Sequence, residues 1–130
     1  MKVIVIRQPR ASLIVEGFKD VENRSWATSY RGPLLIQASA SLPSKRRLDE
    51  MRQVARRRGV VVPDELETGG IVGVVQLDDC VSKSRSKWSE GPVGWLLSKP
   101  KKLPFMPLKG QLGLFDPPAR ILKRLRSSSR

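Results

Sequence analysis

The apolar positions fall into short clusters punctuated by glycine and proline. Val3, Ile4, Val5 and Ile6 follow one another between Lys2 and Arg7, a β-branched run that predicts a largely buried strand. Pro9 suits the first turn of a helix, where its missing N–H costs nothing. Ala11, Ile14, Val15 and Phe18 then recur at helical spacing, with Gly17 as the stop. An extended stretch is predicted from residue 20 to about 26 and a polar loop over 27–31. After Gly32-Pro33, Leu34, Leu35 and Ile36 start a strand that ends near Ser39. Residues 41–44 read as a helix entry, and Leu48, Met51, Val54 and Ala55 form one apolar face of a helix reaching Arg58, stopped by Gly59.

The valine-rich segment 71–81 is the longest predicted strand, and residues 82–90 read as an exposed basic loop. Residues 93–98 form another strand. Pro100, Pro104 and Pro107 make the next stretch extended but poorly suited to a central sheet position. Residues 111–115 read as a last short strand. Asp116 then caps a C-terminal helix with Pro117 at its first position; Ile121, Leu122 and Leu125 share one face, and residues 127–130 are a frayed tail. Internal repeats are absent. The pattern predicts an α+β fold, a small mixed β-barrel flanked by two or three helices.

Composition narrows the chemistry. The chain has 130 residues, enough for one domain, and 25 Lys and Arg against 12 Asp and Glu leave a net charge of +13. That balance favours polyanions, nucleic acid before an anionic membrane. With no histidine, a Ser-His-Asp triad, a Cys-His dyad and a histidine-based zinc site are excluded, and no metal or cofactor is predicted. Cys80 is the only cysteine, so no internal disulfide can form and no disulfide-linked partner is expected. No apolar run reaches the eighteen or so residues of a membrane span, and the start lacks a signal-peptide pattern. These features predict a cytoplasmic protein. The C-terminal helix pairs a basic with an apolar face, but it is short and lacks an aromatic anchor, so no membrane partner is predicted.

Residues 17–24, Gly-Phe-Lys-Asp-Val-Glu-Asn-Arg, fit the pattern G-x-K-x-x-E-x-R. Arg7-Gln8-Pro9 precedes it. Ser25-Trp26, Tyr30-Arg31-Gly32-Pro33, Ile36-Gln37-Ala38-Ser39, Gly70-Ile71-Val72-Gly73, Gly94-Trp95 and Lys109-Gly110-Gln111-Leu112-Gly113-Leu114-Phe115 follow in order. Together they resemble the ASCH domain of the PUA-like superfamily over residues 3–118, leaving 119–130 as a basic C-terminal helix and tail. The resemblance implies a pseudo-barrel with a cleft beside the first helix and the motif, and binding of RNA or modified nucleosides. It also implies an alternative, hydrolysis of RNA or of an acylated nucleoside such as N4-acetylcytidine, without a metal. Two positions depart from the family: Arg10 replaces a tryptophan usual after Gln-Pro, and Gln37 replaces a histidine that often precedes Ala-Ser. The first adds charge near the cleft and removes a stacking surface; the second removes histidine-dependent chemistry.

The motif also carries its own physical logic. In an extended segment Glu22 and Arg24 share one side, and Lys19 reaches it from the preceding bend. Such a group offers a cation for phosphate or carbonyl oxygen, a carboxylate that accepts from exocyclic amines, and a bidentate guanidinium. Trp26 and Tyr30 offer faces for base stacking, although Trp26 is by burial statistics more readily a core residue. The predicted binding set is Gln8, Arg10, Lys19, Glu22, Arg24, Trp26, Tyr30, Arg31, Gln37, Ser39 and Lys109, around one cationic cleft. For the hydrolase alternative Lys19 acts as base or nucleophile, which requires loss of its proton by desolvation or a cationic neighbour, and Glu22 holds water. Related amidohydrolases have threonine where this chain has Glu22, and a later glutamate for which Glu67 and Asp78 are candidates.

Overall fold

Strand alternation decides which residues face the core. In a computed structural model that describes residues 1–82 and 86–128, β1 (Lys2–Ile6) pairs in parallel with β3 (Gly32–Ala38). Ile4, Ile6, Leu34, Ile36 and Ala38 project to one face, and Val3 and Leu35 to the other. Antiparallel β4 (Gly70–Val81) and β5 (Val93–Pro107) follow, and β2 (Val21–Arg24) closes the row in the order β1-β3-β4-β5-β2. Three helices complete the chain: α1 (Arg10–Val15), α2 (Lys45–Arg57) and α3 (Ala119–Ser128).

The sheet curls into a half-barrel because β4 and β5 are unequal in length. Residues 71–73 of β4 span the same distance as 106–102 of β5, and 74–76 the same as 101–98. Extra residues on one strand bend it and increase its twist. At the second irregularity Lys99 has a φ of 50°, a left-handed conformation rare outside glycine. The concave face holds Ile4, Ile14, Leu34, Ile36, Leu77, Trp95 and Leu97, with α1 as its plug. On the convex face Ile121 and Leu125 of α3 pack with Val3, Leu35 and Phe115, so the basic C-terminal helix is docked by its apolar side. A third cluster joins α2 to α1 through Ala55, Leu13, Val60, Val62 and Trp88.

Four predicted features differ. The predicted strand over 111–115 is a single bridge between Val3 and Phe115, because the glycines on its approach, including Gly113 at φ +66°, turn the chain away. Asp116 does not cap a helix; it pairs with Lys2 at 2.7 Å, and α3 starts at Ala119. The reason is local: Pro118 disfavours helical geometry at Pro117. The three prolines lie within β5 itself, on a stretch beyond the reach of β2, which pairs only with residues 93–96. The loop over 82–90 buries Trp88, whose carbonyl accepts from the Asn23 side chain at 2.8 Å. Lys83 and Arg85 of that loop, and Ser129 and Arg130 of the tail, lie outside the described residues. Among the described residues no helix is long and apolar enough to cross a membrane.

Candidate functional site

Gly17 (φ +87°) ends α1 in a left-handed turn, the conformation glycine adopts without a Cβ penalty. The amides of Phe18 and Lys19 return to the Leu13 carbonyl, each at 3.0 Å. This turn sends Lys19 inward. Its side chain is 5% exposed, and its ammonium donates to the Val21 carbonyl and lies 5.9 Å from the Trp88 ring centre. Burial pushes its pKa below the ordinary value; Glu22 opposes that shift and Arg10 adds to it. The recess beside Lys19 measures only about 50 Å³.

Glu22 stands opposite Trp95 in the β2–β5 pair and so turns towards the concave side. It is 1% exposed, 3.1 Å from Arg24 Nε and 3.6 Å from Arg10 Nη1. These are ion pairs rather than well-aligned hydrogen bonds, since neither carboxylate oxygen completes one. One buried carboxylate therefore anchors two guanidinia from different elements. Arg24 also donates from Nη2 to the Val5 carbonyl at 2.9 Å, linking the two terminal strands of the half-barrel, β2 and β1. Burial lowers the Arg24 pKa from its ordinary value while Glu22 raises it.

Along this seam runs a groove in two lobes. Arg7, Arg10, Arg24 and the turn from Gly110 to Gly113 line a lobe of about 480 Å³. Gln37, Lys109 and Arg120 line a second of about 600 Å³, and the lobes share Val5, Ser39 and Gly110. Five cations line the groove, and among the described residues no carboxylate does. Gln37 is buried; its amide donates to the Leu108 carbonyl at 2.7 Å, and its Oε1 lacks a hydrogen-bond partner among the described residues.

The structure thus brings together Arg10, Arg24, Gln37, Ser39 and Lys109, with Glu22 behind the arginines. Lys19 lies in its separate recess. Gln8 is buried as a strap, donating to the Glu67 carbonyl and accepting from the Ser12 amide. Trp26 is not core: it is 37% exposed and meets the buried Trp95 edge-on at 4.9 Å, while Trp95 takes the interior position. Tyr30 and Arg31 sit at the opposite end of β3, where Tyr30 donates to the Pro33 carbonyl and Arg31 pairs with Asp79 at 3.1 Å. Glu67 and Asp78 are exposed and line neither lobe. Sequence reasoning omits Arg7, Arg120 and Leu112 from the site. Arg7 carries a visible signal, as the first residue after a predicted strand and part of the Arg7-Gln8-Pro9 match.

Three comparisons bear on this arrangement. The ASCH domain pattern matches residues 4–109. Activating signal cointegrator 1 from Homo sapiens is 34% identical over 117 residues, covering 81% of this chain and 20% of that protein. The Mus musculus protein of the same name is 39% identical over 83 residues, covering 62% of this chain and 14% of its own. The chain therefore spans about a fifth or less of these relatives. The crystal structure of the ASCH protein from Zymomonas mobilis superposes with a TM-score of 0.59 at 13% identity, covering 97% of this chain and 93% of that one. A mutant of the same Zymomonas mobilis protein gives 0.62 at 16%, with 97% and 96% covered. The pattern spans most of the sequence and the half-barrel matches in architecture: the chain belongs to the ASCH domain family.

Proposed function

We propose that the seam groove binds RNA or single-stranded nucleic acid. The observation that carries this reading is the lining itself: Arg7, Arg10, Arg24, Lys109 and Arg120 along one open trough with no acidic group among its described walls. Phosphates crossing it exchange condensed counterions for guanidinium and ammonium groups, which makes affinity fall steeply with salt. The overall charge of +13 steers polyanions towards the groove.

The hydrolase alternative draws less support. Lys19 has a lowered pKa, as a base or nucleophile needs, but its nitrogen is already engaged by the Val21 carbonyl and the recess beside it is far smaller than a nucleoside. A base must reach the proton it removes.

Binding of short single-stranded RNA and DNA, followed by fluorescence anisotropy from about 50 to 200 mM salt, tests the groove. If all five cations meet phosphate, log K falls against log salt with a slope approaching roughly −3.5. Arg7 and Lys109 are both exposed. The double variant Arg7→Gln/Lys109→Gln is expected to fold normally and to flatten the slope by about 1.4. No binding at about 50 mM salt, or binding indifferent to salt, overturns the proposal.

A further inference from the structure

Leu112 is 99% exposed, the most exposed of the large hydrophobic residues, and it lines the Arg7–Arg10–Arg24 lobe. A single exposed leucine ordinarily needs no explanation. Its setting here is unusual because the turn that carries it is fastened on both sides. Before it, the Leu108 carbonyl accepts from the buried Gln37 amide and the Leu108 amide donates to the Gly69 carbonyl at 3.1 Å. After it, Phe115 and Val3 exchange two backbone hydrogen bonds, and both Leu114 and Phe115 pack inward. Gly110 lies so close to β1 that a Cβ there meets Val5 Cγ2 at 3.2 Å, and Gly113 takes a left-handed φ of +66°. The fastened turn presents one aliphatic side chain, with its water-exposed surface uncompensated, beside three guanidinia.

We propose that Leu112 is an apolar wedge that packs against, or inserts between, nucleobases while the adjoining arginines hold the phosphates. This rests on the nucleic-acid reading of the groove and adds its base-contacting element. Aliphatic wedges of this kind part stacked bases in other nucleic-acid complexes, and covering a leucine removes apolar surface from water. Because the turn is already held, little ordering entropy opposes the contact. A contact to a base face releases no counterions, so Leu112 is expected to contribute affinity without salt dependence.

The experiment uses the full chain with a single-stranded oligonucleotide of about ten nucleotides containing 2-aminopurine, whose fluorescence reports stacking. Wild type is expected to bind and to change the probe's fluorescence. Leu112→Ala is expected to bind about five- to tenfold more weakly with an unchanged salt slope and a diminished fluorescence change. Leu112→Trp is expected to restore both, and on a strand with abasic sites in place of the bases Leu112→Ala is expected to match wild type. Wild-type affinity and fluorescence response in Leu112→Ala overturn the wedge while the groove stands. A flattened salt slope in that variant also overturns it, because the residue then acts through the cations. Absence of binding by wild type overturns the groove and the wedge with it.

Discussion

Glu22→Gln isolates the electrostatic anchor of the groove, since the two side chains have nearly the same shape. In the native protein one buried carboxylate faces two guanidinium nitrogens at 3.1 and 3.6 Å. At an effective dielectric near 20 each attraction is on the order of 4 kcal/mol before desolvation is counted. Removing one partner of a fully buried pair costs roughly 3–5 kcal/mol. Here the arginines keep 24% and 34% of their side-chain exposure and hydrate when released, which lowers the expected cost to about 2–3 kcal/mol. Urea unfolding measures it: with an m-value of roughly 1.5–2 kcal/mol/M, the midpoint falls by about 1–2 M. The sign should reverse in an Arg10→Met/Arg24→Met background. There Glu22 is a buried charge without its two partners, and Glu22→Gln becomes stabilising. An unchanged midpoint in the single variant, or no reversal in the triple one, refutes the view that two guanidinia hold this carboxylate in place.

Lys19 gives a pH prediction. Its folded pKa lies below the unfolded reference of 10.5, mainly through burial, so between those two values the unfolded chain binds more protons. Stability relative to Lys19→Met should therefore rise with pH across that window and level off above 10.5, measured as the difference in urea midpoints; a fall contradicts the desolvation account. Gly73→Ala places a Cβ 2.5 Å from Val15 Cγ1 and 2.6 Å from the Lys101 carbonyl, so calorimetry should show a loss of about 2–3 kcal/mol. Gly59→Ala, at φ +82° with no atom within 4 Å, should lose only about 1 kcal/mol from backbone strain, and equal losses at the two sites contradict the packing explanation.

Local order in the chain makes much of this legible. The motif and its flanks mark Arg10, Arg24, Gln37, Ser39 and Lys109, and all five line the groove. Period-two spacing correctly puts Glu22 and Arg24 on one side of β2. Spacing cannot, however, show how a sheet curls. The parallel β1–β3 pair brings Arg7 and Ser39 together just beyond the strand ends, whereas Tyr30 and Arg31 precede β3 and lie roughly 20 Å away along it. Proximity in sequence groups Lys19 with Glu22, and the Glu22 charge does act on the Lys19 ammonium, but the Gly17 turn buries that ammonium near Trp88, outside the lining of the groove. Arg120 belongs to a segment whose docking depends on Ile121 and Leu125 meeting strands more than eighty residues earlier, a contact with no local signature. Trp88 is hidden for a similar reason: one aromatic among polar neighbours carries no periodicity, and its burial comes from α1 and α2.

The far half of β5 has a consequence for how this protein behaves in crowded solution. The pairing of β2 along β5 ends at Leu96, leaving a long margin of backbone at the sheet's rim. Bare margins of that kind template the addition of a foreign strand and can seed fibrils. Pro100, Pro104 and Pro107 remove three amide donors there, Lys99 twists the ribbon at its positive φ, and the exposed Lys101 places a like charge beside any incoming copy. The residues that spoil an ideal strand thereby keep the sheet from growing sideways, and replacing them with valine or threonine should convert that rim into an aggregation surface.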